Sequence, residues 1–270
     1  MAGEGEFLLR LLFIGDVVGK PGREVLVRRL QSLREETEAD LVVVNGENAA
    51  GGVGLTPAVA EDFFALGVDA ITLGNHAWDK KELIPYLEGE ERIIRPANYP
   101  EGTPGRGMTV LRTPSGVAIG LINLSGRVFS LVHYDCPFRA AVRLAESIRR
   151  TTPLVLVDFH AEATSEKIAL GWHLDGVVSA VIGTHTHVQT ADERVLPDGT
   201  AYITDAGMTG PRNSVIGVRR ELVLERFLNQ RPLRFSVAEH GPQQLNGVLL
   251  TLDEASGRAT EIERIAEAYA

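Results

Sequence analysis

The sequence predicts an α/β fold: a largely parallel sheet with helices on its outer faces and hairpins at its edges. Three observations predict it. Short apolar, β-branched runs recur (LVVVN at 41–45, PLVLVDF at 153–159, VVSAVIG at 177–183), as expected for strands buried on both faces. Segments with helical apolar spacing lie between them. Several of the apolar runs also end in a polar cluster flanked by glycine.

The elements follow in order. FLLRLLFI at 7–14 reads as a first strand. At 22–36 a helix is predicted, with Val25, Leu26, Leu30 and Leu33 on one face. Thr56-Pro57 supplies an N-cap and first-turn pair for a helix over 59–66. VDAITLG at 68–74 is the next strand after LVVVN, and KKELIPYLEG at 80–89 a helix whose later turns Pro85 should disturb. A Pro-Ser-Gly turn makes 108–124 a hairpin, and YPEGTPGRG at 99–107 a surface loop. Helices at 137–150 and 164–174 alternate with the strands at 153–159 and 177–183. Further hairpins are expected at 194–204 and 247–265. With no linker-like tract and no internal repeat, residues 1–270 read as one domain, with 1–6 a flexible tail.

Composition narrows the function classes. The 270 residues carry 27 Lys and Arg against 36 Asp and Glu, a formal charge of -9, and 6% are aromatic. Stable DNA binding is not expected of so acidic a chain, although association with RNA stays open. One cysteine, Cys136, excludes an intrachain disulfide and suits a reducing compartment; Pro-Phe follows it, which reads as a small buried hydrophobe. The acidic start MAGEGEF and the absence of a long apolar run predict a cytoplasmic protein that does not enter a membrane.

The chemistry is concentrated after five apolar runs: Gly15-Asp16, Gly46-Glu47-Asn48, Gly74-Asn75-His76, Asp158-Phe159-His160, and Gly183-Thr184-His185-Thr186-His187. In open α/β sheets the carboxyl ends of strands converge on one crevice, so these residues can meet despite their separation. Carboxylates, amide oxygens and neutral imidazoles are ligands for divalent cations. Singly, each also makes an ordinary cap or turn. Together, each after an apolar strand, they point to a site.

The motifs GNH at 74–76 and GTHTH at 183–187 resemble the GNH and GHxH signatures of calcineurin-like metallophosphoesterases. The order GDVVG, NGENAAGG, GNHAWD, DFHAE and GTHTHVQT, spread over nearly the whole chain, resembles the bacterial YmdB-like branch more closely. Two departures from the wider superfamily fit that branch: Asp16-Val17-Val18 lacks the histidine of DxH, and Glu47 stands where GDxxD offers aspartate. The resemblance implies a layered α/β/β/α sandwich with a dinuclear metal site at the strand ends. It implies that Glu47 bridges two ions, one held by Asp16, Asn48 and His187, the other by Asn75, His160 and His185. Iron or manganese suits such a set, which lacks sulfur. A hydroxide shared by the cations would attack phosphorus, with His76 as general acid. Asp79 could orient His76 or cap a helix. Asp158 and Glu162 are expected to support the ligands, and Thr209 and Arg212, in a glycine-rich run at 207–213, are candidates for touching phosphate, with a plain surface loop as the alternative. Ser125, Arg127 and the segment 135–138 could also approach the site.

The expected substrate is a small phosphodiester, by resemblance a 2′,3′- or 3′,5′-cyclic nucleotide. The rivals are a phosphomonoesterase and a metal-stabilised regulatory or RNA-associated protein. An aminohydrolase is disfavoured because HxH arrives late, at 185–187. A homo-oligomer is compatible with the family.

Overall fold

A computed structural model describes residues 7–270; the tail expected at 1–6 lies outside the described residues. The strands are β1 (Leu8–Ile14), β2 (Asp16–Val17), β3 (Leu41–Asn45), β4 (Ala70–Thr72), β5 (Ile93–Ile94), β6 (Met108–Arg112), β7 (Ala118–Ser125), β8 (Val155–His160), β9 (Ala180–Thr184), β10 (Arg194–Val195), β11 (Ala201–Ile203), β12 (Met208–Pro211), β13 (Gln243–Asp253) and β14 (Ala259–Tyr269). The helices are α1 (Gly19–Glu36), α2 (Pro57–Ala65), α3 (Leu83–Gly89), α4 (Pro137–Ile148), α5 (Thr164–His173) and α6 (Arg220–Asn229).

Two sheets stack face to face. One has the order β2-β12-β13-β1-β3-β4-β5, with β14 also paired to β13; the other runs β10-β11-β9-β8-β7-β6. Strand alternation assigns side chains to layers. From β1, Leu9, Leu11 and Phe13 enter the core between the sheets, joined by Leu41, Val43, Leu121, Leu156 and Ile182. The opposite face of β1 and β3 presents Leu12, Ile14, Val42 and Val44 to Val25, Leu26 and Leu30 of α1 and Phe63 of α2. Ile122, Val155, Val157 and Phe159 face Ala141, Ala145 and Ile148 of α4 and Leu170 of α5. The result is the expected α/β/β/α sandwich, with three apolar layers between four layers of backbone.

The same alternation places the polar strand ends. On β8, Asp158 and His160 share the inter-sheet face with Leu156, and on β3 Asn45 shares it with Val43. The strands β1, β3 and β4 run parallel in one sheet, and β7, β8 and β9 in the other. Their carboxyl ends therefore open at one rim of the sandwich.

Several local expectations change. Pro85 does not disturb a long helix; α3 starts at Leu83, and proline falls in its first turn, where a missing N–H costs nothing. Thr56 caps α2 as expected, accepting from Val59 N at 3.3 Å. The glycine-rich run at 207–213 is not a surface loop over its first half: Met208–Pro211 forms β12, pairing with β2 and β13. Cys136 is only half-buried and stands at the N-cap of α4. Among the described residues no helix is long and apolar enough to cross a membrane.

A buried ion pair ties the second sheet to the site. Lys167 of α5 is 1% exposed, and its Nζ lies 2.7 Å from Asp205 Oδ2, at the end of β11. The same carboxylate oxygen accepts from the Thr186 N–H (3.1 Å) and hydroxyl (2.8 Å). Removing one partner of such a pair leaves an uncompensated buried charge. Lys167→Met should therefore lower the unfolding free energy by about 3–5 kcal/mol, read as a reduced urea midpoint. A loss below about 1 kcal/mol would show that the pair carries little of the structure.

Candidate metal centre

Five strand ends deliver the site. Asp16 follows β1 and opens β2; Glu47 and Asn48 follow β3; Asn75 and His76 follow β4; His160 closes β8; His185 and His187 follow β9. At their centre is Glu47, 1% exposed. Its Oε1 lies 2.9 Å from His160 Nε2 and 3.2 Å from the Asn48 amide nitrogen, and its Oε2 accepts the His76 backbone N–H at 3.1 Å. Position 74 has to be glycine: a Cβ there would stand 2.3 Å from Glu47 Oε2 and 2.4 Å from His160 Nε2.

Two groups flank this carboxylate. In the first, Asn48 Nδ2 is 3.4 Å from Asp16 Oδ1 and 3.2 Å from His187 Nε2, and His187 Nε2 is 3.7 Å from Asp16 Oδ1. In the second, His160 Nε2 lies 3.0 Å from Asn75 Oδ1 and 2.9 Å from His185 Nδ1. One ligand atom each from Glu47, His160 and His185 lies within 4.8 Å of the others, so this triad can hold a metal ion. The crowding supports that reading. A carboxylate oxygen, an amide oxygen and two ring nitrogens converge, and at most two ring protons could relieve the repulsion among their lone pairs.

The far side of every imidazole settles which nitrogen faces inward. Thr184 has one hydroxyl proton and gives it to Asp158 Oδ1 at 2.7 Å, so its oxygen accepts from His160 Nδ1 at 3.0 Å. Asp158 in turn accepts from Asn45 Nδ2 at 3.1 Å across the sandwich. Glu162 Oε2 lies 3.0 Å from His185 Nε2, and the Ile216 carbonyl lies 2.9 Å from His187 Nδ1. Each acceptor holds a ring N–H and leaves the opposite nitrogen facing the centre, the arrangement that metal-binding histidines use once the inward nitrogen is deprotonated. His76 follows the same rule outside the cluster: Asp79 Oδ2 is 2.5 Å from its Nδ1, leaving Nε2 free on the cleft side.

The loop after β9 is strained. His185 has φ of +101° and His187 +65°, conformations that cost a non-glycine residue roughly 1–3 kcal/mol each. Asp205 holds Thr186 between them, and Asp16 Oδ2 accepts the His185 N–H at 3.1 Å. No motif in the sequence marks Asp205, Lys167, Thr184 or Asn45 for these roles. The available signal was Lys167 itself, one of only four lysines, set in a helix that must bury a face.

Electrostatics follows from burial and crowding. Burial pushes the Asp16 carboxyl up, against the pull of His187 and His160. Burial would also raise Glu47, but the His160 charge and hydrogen bond hold it below the ordinary carboxylate range. Burial opposes a charged His160, yet Glu47, Asp16 and Asp158 prevail and raise it to about 9. Asp158 is pushed up to about 6 by burial, and His185 down to about 3 by burial and then by His160.

Thr209 and Arg212 are not brought to the cleft. Thr209 is fully buried, donating its hydroxyl to the Asn246 carbonyl at 3.3 Å, because its run pairs as a strand; Arg212 is exposed beyond β12. Neither lines the cavity of about 400 Å³ that opens over Asn75, His76, His160 and His185. Ser125, in register with His160, does line it, while Arg127 and Asp135 are exposed and do not.

Residues 12–265 match the YmdB-like protein family. The chain is 50% identical over 257 residues to a Bacillus subtilis (strain 168) protein named 2′,3′-cyclic-nucleotide 2′-phosphodiesterase, covering 95% of this chain and 96% of that one. Two solved structures are similar. A hypothetical protein from Thermus thermophilus superposes with a TM-score of 0.90 at 45% identity, over 97% of this chain and 100% of that one. A novel phosphatase from Mycoplasma pneumoniae superposes with a TM-score of 0.91 at 36% identity, over 98% and 95%. The chain belongs to the YmdB-like family of calcineurin-like metallophosphoesterases.

Metal loading should displace a proton. A histidine can bind a cation only when neutral, and His160, raised to about 9, carries its extra proton at pH 7 when no ion is bound. Calorimetric titration of Mn²⁺ into chelator-treated protein, in buffers of different ionisation enthalpy, should show release of at least about one proton at pH 7, shrinking as pH rises through 9. Binding with no proton release at pH 7 would contradict the assignment.

Proposed function

We propose that this protein is a metal-dependent phosphodiesterase that hydrolyses small phosphodiesters, with cyclic nucleotides, 2′,3′- or 3′,5′-linked, as its substrate class. The observation that carries the reading is the convergence of Glu47 Oε1, Asn75 Oδ1 and His185 Nδ1 on His160 Nε2, at 2.9, 3.0 and 2.9 Å. Asp16, Glu47, Asn48 and His187 would hold one divalent cation, and Glu47, Asn75, His160 and His185 the other. In the first set the Asn48 amide would turn so that Oδ1 replaces the Nδ2 that now faces Asp16, Glu47 and His187. The oxygen-rich, sulfur-free set favours iron or manganese. The match to a relative named for 2′,3′-cyclic nucleotides supports the choice of substrate.

When bound, such a pair of cations supplies positive charge for the phosphoryl oxygens and lowers the pKa of water. The chain's own residues do the rest. His76, held through Nδ1 by Asp79, presents Nε2 to the cleft, where it can donate to a phosphate oxygen and pass its proton to the departing alkoxide. Its backbone N–H meanwhile stays on Glu47 Oε2, so the side chain and the ligand set are positioned by one turn. Glu162, Thr184 and Asp158 keep the imidazoles from rotating. The reading extends to a single domain over 1–270, active in the cytoplasm, where one unpaired cysteine is stable.

Manganese- or iron-reconstituted protein should turn over bis-p-nitrophenyl phosphate and 2′,3′-cyclic AMP faster than p-nitrophenyl phosphate. His76→Ala should lower kcat by about 10²–10⁴-fold while the bound metal content is retained. Turnover at the wild-type rate in that variant would remove His76 from proton transfer. A preference for the monoester would favour the phosphatase alternative.

A further inference from the structure

We propose that the segment from Val128 to Val132 is a binding wall for the flat face of a nucleobase, with Phe129 as its stacking surface. The proposal rests on the phosphodiesterase reading above and adds how that site would choose its substrate.

The segment leaves the end of β7 and is fixed at both ends. Gly126 N–H donates to the His160 carbonyl at 3.0 Å. Buried Glu166 accepts from the Arg127 N–H at 3.0 and 3.1 Å and from the Val128 N–H at 3.1 Å. At the far end Tyr134 is buried; its hydroxyl meets that of Tyr99 at 3.2 Å, and the two rings pack edge to face 4.8 Å apart. Asp135 N–H donates to the Asn98 carbonyl at 2.8 Å.

Between these anchors the chain exposes what a loop ordinarily hides. Phe129 is 82% exposed and Leu131 98%. Phe129 also sits at φ of +64°, a conformation that is a genuine outlier for a bulky side chain. Such strain persists only where the surroundings enforce it, and it concentrates at ligand sites. Here the anchors enforce a backbone that holds an aromatic ring in the open.

Its position identifies the occupant. The cavity of about 400 Å³ is lined by Asn75, His76, His160 and His185 together with Phe129, Leu131 and Val132. That volume falls within the range of small-ligand pockets. Ser125, 2% exposed, lines the same cavity, and among the described residues its hydroxyl meets no hydrogen-bond partner. A buried hydroxyl of this kind calls for a ligand oxygen or a water. An anion-handling end, a free hydroxyl and an exposed aromatic wall match a phosphodiester, a sugar oxygen and a base in sequence. A second copy of this chain could also cover an apolar loop, but it would leave the contiguous Ser125 hydroxyl without a partner.

The test compares a substrate with and without a base on metal-reconstituted, full-length protein. The ratio of kcat/KM for 2′,3′-cyclic AMP to that for ethylene glycol cyclic phosphate, the same five-membered diester, should fall about tenfold in Phe129→Ala, within the range for loss of one stacked base. The fall should lie mainly in KM, and Phe129→Trp should retain the ratio. Calorimetric binding of 3′-AMP relative to inorganic phosphate gives the same comparison without turnover, so it stands even if the phosphodiesterase reading fails. An unchanged ratio in both measurements would overturn the proposal. So would a change in sedimentation, without a change in selectivity, on Phe129→Ala, which would make the loop a subunit contact.

Discussion

The structure is organised around one buried carboxylate. Glu47 lies at the end of β3 with almost no solvent contact, and a charge in that position is costly unless it is paired and hydrogen-bonded. Its neighbours divide that task. His160 meets Oε1, the His76 backbone meets Oε2, and Asn48 reaches across to Asp16. The absence of a side chain at Gly74 is as necessary as any of these contacts, since a methyl group would occupy the carboxylate's own space. A sandwich with parallel strands in both sheets provides the geometry: it is the arrangement that brings the carboxyl ends of β1, β3, β4, β8 and β9 to one rim.

A further layer of residues converts proximity into orientation. Thr184 and Asp158 act on His160, Glu162 on His185, the Ile216 carbonyl on His187, and Asp79 on His76. Four rings thereby have a defined inward nitrogen before any ion arrives. The cost appears as left-handed backbone at His185 and His187, sustained by Asp16 and by the Lys167–Asp205 pair beneath the loop. Acidity of the whole chain is consequently a poor guide to the pocket. Its formal charge of -9 coexists with a site in which Asp16 and Glu47 are committed to imidazoles and, on the proposed reading, to two cations that more than offset them.

Much of this was legible in sequence because strand periodicity and strand termini are local signals. The run VLVDFH at 155–160 states that Asp158 and His160 share a face, and LVVVN at 41–45 places its polar residues just beyond a buried strand. What could not be read depended on partners distant in sequence. Met208–Pro211 looks like a loop because glycine and proline dominate it, yet it pairs with β2 and β13, and this buries Thr209. Ile93–Ile94 is too short to declare itself a strand without β4 beside it. Lys167 sits inside an amphipathic helix like any surface lysine until Asp205, 38 residues later, is placed against it. The role of Phe129 is likewise invisible in the string, since only the anchored loop shows that the ring stays exposed.

On the proposed reading, two cations share Glu47. Anomalous diffraction from crystals of manganese-loaded protein tests it most directly. Two peaks are expected on either side of the Glu47 carboxylate, one against Asp16, Asn48 and His187 and the other against Asn75, His160 and His185. A single peak confined to Glu47, His160 and His185, at saturating metal, would contradict it.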